Sequence, residues 1–481
     1  MIFSRLLFPF MPTSPVKDSF PRFLPIIALL CALAFAGMWF AGRAGQGGFL
    51  LAGAFLAASF GCTRIEKLKS LTYTMLILCL VCVAMFYPAR LQAWGDFRFV
   101  TLIPVLLQLI MFGVGSQMSM KDFEGVVRMP RAVILGLCCQ FTIMPLLGFV
   151  LSRAVSFDGG AIAAGLGLAQ AGNIDPARAT ALSGAISAGI VLIGCSPSGL
   201  ASNVMCFLAR GNLALSVTIA ACATLMAPLM TPLLMKLLAG TLVEVSVVAM
   251  MGDVIRMLVY PIMAGLVFNA VATARPWKSL LREGGLSLLL ILVMQTGMGL
   301  LKKSTAGDIG HGLLITAGLV LVLAPLAGVL VRALTGGGTE AVKRMMAFFS
   351  MAAVCAILTV ITASNRESLL RIGLLMIGVM FVHNVGGYLL GYVIARLFRM
   401  DDRSCRTLAI ELGQQNGGLA NGLAASLPLD APVKALMGIA PAVFGALQNI
   451  TGSALATWWR RVPVKDEVAK KAEAKETEGS K

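Results

Sequence analysis

Two short segments carry the polar atoms from which chemistry could be built. One reads Gly194-Cys195-Ser196-Pro197-Ser198-Gly199, with Ser202 and Asn203 close behind; the other reads Glu411-Leu412-Gly413-Gln414-Gln415-Asn416-Gly417-Gly418. No plausible nucleophile is paired with a base in the chain, and no GxxxxGK[ST], HExxH or GxSxG motif occurs. Neither an enzyme nor an ATP-driven pump is expected. What the segments offer is oxygen: one carboxylate, amide carbonyls, hydroxyls, and backbone carbonyls released where Pro and Gly interrupt a helix. Such a set suits a hard monovalent cation that neutralises Glu411. A proton could do the same, and composition does not separate the two.

The elements that hold these segments follow from composition. The chain has 481 residues, 58% of them hydrophobic and 13% charged. Soluble domains run at about 45–50% apolar and about 25% charged, so the chain is expected to be an all-α polytopic membrane protein. Apolar runs give about 14 spans. In the first half they fall near 24–42, 47–61, 71–88, 99–117, 132–152, 183–208 and 213–238. In the second half they fall near 254–273, 286–302, 310–331, 345–364, 371–395, 407–427 and 437–459. Both polar segments lie inside runs, at 183–208 and 407–427. Unwound backbone at bilayer depth is tolerated only in a protein-lined or wet cavity, and an acid there marks function. The stretch 155–182 fits no span and is read as a re-entrant or surface hairpin.

Lys and Arg number 39 against 22 Asp and Glu, a net charge of +17. Nucleic acid is excluded as a partner, because runs of about 20 apolar residues separate the basic clusters. Placing both termini in the cytoplasm puts the larger share of basic residues inside, among them Arg64, Lys67, Lys69, Arg282, Arg396 and Arg406. That topology leaves Glu411 as the one acid within the membrane. It gives a cytoplasmic lead at 1–23, with no cleavable signal peptide expected, and a disordered charged tail at 460–481. The eleven Cys sit mostly in apolar stretches and read as packing, not disulfides. His383 in its apolar span reads as a hydrogen-bonded structural residue.

The halves echo one another. LLGFVLSR at 146–153 matches LLGYVIAR at 389–396, and Gly199–Asn203 matches Gly418–Gly422. The spacings differ by about the length of 155–182, which reads as an insertion in one copy. The repeats are 24–240 and 241–459, seven spans each, so the second is inverted relative to the first.

These residues resemble the bile acid:sodium symporter family. The resemblance rests on MFGVGSQMSMKDF at 111–123, CCQFTIMP at 138–145, GCSPSGLASNVMCFLARGNLALSV at 194–217, VHNVGGYLLG at 382–391 and ELGQQNGGLA at 411–420. It implies an inverted-repeat secondary transporter with two crossing discontinuous helices in a core domain, and a panel domain that moves against it. It implies sodium-coupled uptake of a small or amphipathic organic anion across the plasma membrane. One sodium site would use Ser202, Asn203, Ser216 and Glu411. A second would use Gln140, Glu411, Gln415 and the carbonyls of Leu412 and Gln414. Asn416, Leu200, Gln448 and Asn449 would face substrate. The chain departs from the family at Ala220, where a Thr is usual, and at Pro197-Ser198-Gly199-Leu200-Ala201, where Pro-Gly-Gly-Thr-Ala is usual. Bile acids are therefore not assumed. A proton-coupled or exporting carrier of the same fold is the alternative, and a membrane-embedded enzyme or sensor stands further off. The four spans beyond the ten of that fold are expected on the panel or at a contact between copies.

Overall fold

The computed structural model describes residues 24–63, 71–118, 124–155, 157–160, 162, 175–199, 201–273, 277–301, 312, 314–335, 339–364 and 366–464. The lead at 1–23, Leu200, most of the 155–175 connector, His311 and the tail from 465 lie outside these residues.

Twelve of the fourteen apolar runs fall on one helix each, and the runs 183–208 and 407–427 each fall on two helices separated by a break. Four come first: α1 Leu24–Phe40, α2 Ala44–Cys62, α3 Leu71–Phe86 and α4 Ile103–Gly115. After these come α5 Pro130–Ala154, then α6 Pro176–Cys195 and α7 Ala201–Leu208 on either side of the first break, then α8 Leu213–Ala239. Next are α9 Val247–Ala272, α10 Leu281–Leu301 and α11 Leu314–Ala333. The last group is α12 Thr339–Ser364, α13 Arg366–Leu397, α14 Asp402–Gly413, α15 Gly417–Ser426 and α16 Ala431–Arg461. Among the described residues, nine helices are long and apolar enough to cross a membrane, and four shorter apolar ones accompany them. The chain is a multi-pass, all-α membrane protein, apart from a two-residue hairpin of β1 Ala93–Trp94 and β2 Phe97–Arg98.

Local sequence sets the helix starts. Asp175 accepts from Ala177 N, Asn212 from Leu215 N, Asp401 from Ser404 N and Asn416 from Leu419 N, so polar caps open α6, α8, α14 and α15. The first cap corrects the sequence reading: residues 176–182 belong to the first broken helix, not to a separate hairpin. Pro176 at the first helical position has no donor to waste there.

Packing separates two groups. Helices α5 to α8 interlock with α13 to α16, while α3, α4, α9 and α12 pack on one another beside them. Helices α1 and α2 join through α3; α10 and α11 lie on α9. The first of these pairs precedes α3 in the chain and the second follows α9. Burial differs from helix to helix: the most apolar stretch of α6 is 72% buried, against 61% for α9 and α16, 44% for α5, α8 and α13, and 17% and 22% for α10 and α11. Exposed Leu, Val and Ile on the outer helices give the apolar surface that lipid requires.

Among the described residues, three charged side chains besides Glu411 are buried. Glu283 lies within α10 at 1% exposure. Asp402 and Arg406 form a buried pair at 2.9 Å, one turn apart on α14. Arg406, read from sequence as a flanking loop cation, donates to the carbonyls of Ala209, Trp459, Val462 and Pro463. It thereby closes the open ends of α7 and α16.

Candidate functional site

The two breaks cross. Ser198 and Gln415 form an antiparallel bridge. Gly199 N donates to Gln414 O at 2.8 Å, and Asn416 N donates to Pro197 O at 2.8 Å. Each unwound strand therefore supplies the partners the other lost on leaving its helix. The approach is close: a Cβ on Gly199 would lie 2.6 Å from Gln415 O, so only glycine fits.

Side chains from neighbouring helices complete the backbone accounting. Thr231 Oγ1 on α8 donates to Cys195 O at 2.8 Å, Gln140 Nε2 on α5 donates to Ser196 O at 3.0 Å, and Asn384 Nδ2 on α13 donates to Gly413 O at 2.6 Å. Gln448 on α16 braces the second break from both sides. Its Oε1 accepts from Gln415 N at 2.8 Å and its Nε2 donates to Gln415 O at 3.0 Å. Gln414 Nε2 in turn donates to Tyr388 Oη and to Gln448 O, both at 2.8 Å.

Glu411 sits in the last turn of α14, fully buried. Ser198 Oγ from the first break donates to its Oε2 at 2.5 Å. Ser216 Oγ from α8 donates to Oε1 and lies 2.8 Å from Asn203 Oδ1. Ser202 Oγ lies 3.3 Å from Ser198 Oγ. The four residues expected at the first ion site are thus gathered on one carboxylate. Among the described residues no ion pair to a basic side chain is seen at Glu411. Each hydroxyl has one proton to donate and lone pairs to spare, so a single charge surrounded by neutral oxygens faces a site that one monovalent cation would balance. Among the described residues no cluster of three His, Cys, Asp or Glu could hold a transition metal.

The second expected set lies on the other side of the crossing. Gln140 Nε2 donates to Gln415 Oε1 at 2.8 Å, and Gln415 Nε2 donates to Leu412 O at 2.6 Å. Gln140 Oε1 and Gln414 Oε1 are buried acceptors without a hydrogen-bond partner, the kind of atom a cation satisfies. The carbonyls of Leu412 and Gln414 each accept one bond and keep one lone pair.

Of the residues expected at substrate, Asn416 caps α15 through Leu419 N at 3.0 Å. Gln448 is committed to the Gln415 backbone, and Asn449 Nδ2 donates to Gly445 O in its own helix at 2.7 Å. Leu200 lies outside the described residues. Sequence reasoning missed Ser198, Thr231, Asn384 and Tyr388 as partners of the breaks. Ser198 was signalled by its place inside the Gly-Pro-Gly interruption. Thr231, on a different helix, left no such mark.

A multi-pass protein with two helix breaks crossed on a buried acid belongs to the class of secondary transporters. The family described as Sodium Bile acid symporter family matches residues 104–300. The uncharacterized sodium-dependent transporter YocS of Bacillus subtilis (strain 168) is 31% identical over 370 residues, covering 77% of this chain and 86% of its own. The probable chloroplastic sodium/metabolite cotransporter BASS1 of Oryza sativa subsp. japonica is 26% identical, covering 75% of this chain and 66% of its own. The human ileal sodium/bile acid cotransporter is 26% identical over 67% of this chain and 68% of its own. The chain belongs to the sodium bile acid symporter family, a family of transporters and not of enzymes.

Proposed function

We propose that this protein couples sodium entry to the uptake of a small or amphipathic organic anion by alternating access. The observation that carries the reading is the placement of Glu411 between hydroxyls of the first break and of α8, with no basic partner among the described residues. Sodium dependence in the names of similar transporters supports it. One sodium ion would neutralise Glu411 within reach of Ser202, Asn203 and Ser216. A second would lie among Gln140, Gln415 and the carbonyls of Leu412 and Gln414. Both ions would fasten the crossing. The anion then binds near Asn416 and Leu200, against the N-terminal ends of α7 and α15, whose positive dipole ends favour negative charge.

In this reading α5 to α8 and α13 to α16 form the core, and α3, α4, α9 and α12 form the panel that rocks against it. The two halves are inverted repeats. Both termini lie in the cytoplasm of a cell whose plasma membrane houses the protein, with the basic flanks inside. Proton coupling is the second reading, and Ala220 favours it, because a methyl one turn beyond Ser216 leaves the first ion site one hydroxyl short.

Uptake into proteoliposomes decides between them. The probes are radiolabelled organic anions from acetate to taurocholate, with an inward sodium gradient, an inward proton gradient or neither. The reading expects one or more anions to accumulate with sodium alone. Accumulation under the proton gradient, equal with and without sodium, would contradict it.

A further inference from the structure

We propose that Ser198 is itself a ligand of the ion held at Glu411, and that its hydroxyl makes good the one missing from α8. The proposal rests on the reading that the crossing binds sodium. It adds a residue to that site, and one that ties the two breaks together.

The geometry is specific. Ser198 Oγ is 2.5 Å from Glu411 Oε2 and 3.3 Å from Ser202 Oγ, and the residue is 3% exposed. Ser216 takes the other carboxylate oxygen, Oε1. The two serines therefore divide the carboxylate between them. Each spends its single proton on one oxygen, and each keeps lone pairs that can point at a cation beside the acid. Ser202 and Asn203 add oxygens to the same space, through Ser198 and Ser216 respectively.

Helix α8 shows what is missing. Ala220 follows Ser216 by four residues and so lies on the same helix face, where a hydroxyl would join the set. Thr218 Oγ1 donates to Ala214 O at 2.8 Å and Thr224 Oγ1 to Ala220 O at 2.7 Å, both along their own helix. Ser198 reaches the carboxylate from the opposite side, and moves the lost oxygen from α8 to the break.

That relocation has a mechanical consequence. A hydroxyl on α8 links the ion to one whole helix. A hydroxyl on Ser198 links it to the unwound strand that already pairs with Gln415. Ion binding then acts directly on the crossing, through Glu411 from one side and Ser198 from the other.

The test uses the purified full-length protein in detergent, titrated with sodium chloride against choline chloride at constant ionic strength. Sodium affinity is read from the rise in melting temperature and, separately, from calorimetry. Ser198→Ala is expected to weaken sodium binding about tenfold, the lower end for loss of a group supporting a metal, beyond the fall in sodium-free melting temperature that the lost hydrogen bond to Glu411 brings. Ser198→Thr, which keeps the hydroxyl, should bind sodium like the parent. Ala220→Thr added to Ser198→Ala should recover most of the loss. If Ser198→Ala binds sodium like the parent while Glu411→Gln does not, the role of Ser198 is refuted and the sodium site stands. If Glu411→Gln also binds sodium like the parent, the site itself is refuted, and the role of Ser198 with it.

Discussion

The two helix breaks do the same thing with different materials. The first, Ser196–Gly199, is short, hydroxylic and interrupted by proline; it contributes backbone, Ser198 and the following Ser202 and Asn203. The second, Gln414–Asn416, follows directly on the acid and is rich in amides. One brings oxygens without charge, the other brings charge and the amides that brace it. Neither closes its own backbone account. The first borrows from Thr231 and Gln140, the second from Asn384 and Gln448, and each borrows from the other across the crossing. A site whose charge and neutral ligands sit on different strands assembles only when the strands meet, which is what an ion that couples two movements requires.

The largest effect should come from removing the charge of the second break. Glu411→Gln should abolish sodium-driven uptake in proteoliposomes while the protein still purifies as a folded species, because an amide keeps acceptors and donors for Ser198 and Ser216. Sodium-driven accumulation at the parent rate in that variant would break the asymmetry between the strands.

A smaller effect should follow from unbracing the second break alone. Gln448→Leu strands Gln415 N in the protein interior and takes from Gln415 O one of its two donors, the other being Gly417 N. Buried polar groups without partners cost about 1–3 kcal/mol each, so the melting temperature should fall and sodium affinity should fall with it. A variant as stable as the parent would show that Gln448 is not the brace. The smallest effect belongs to the first break. Thr231→Val removes a single donor from Cys195 O, a loss of about 1 kcal/mol. It should lower the melting temperature less than Gln448→Leu does; the reverse order would mean that the hydroxylic strand, not the amide strand, depends more on its neighbours.

Much of this was legible in the residues. Fourteen apolar runs became helices because a long hydrophobic segment in lipid has no other way to satisfy its backbone. Pro197 and the glycines marked the interruptions, and the acid with its amides marked the candidate site, because such groups are too costly to bury idly. What sequence left out depends on neighbours in space. Thr231 and Gln448 look like ordinary polar residues in apolar helices until the breaks are laid beside them. Arg406 reads as a flanking cation because its four carbonyl partners come from Ala209 and from Trp459 to Pro463, far along the chain. The start of α6 was set too late because small residues and hydroxyls at 176–182 weaken the apolar signal of a helix that Asp175 caps.

The central claim is that the crossing binds sodium through Glu411. Calorimetric titration of the purified protein with sodium chloride, at constant ionic strength and fixed pH, tests it most directly. The account predicts saturable sodium binding in the parent protein and none in Glu411→Gln. No saturable sodium binding in the parent, or the same binding in both proteins, would contradict it.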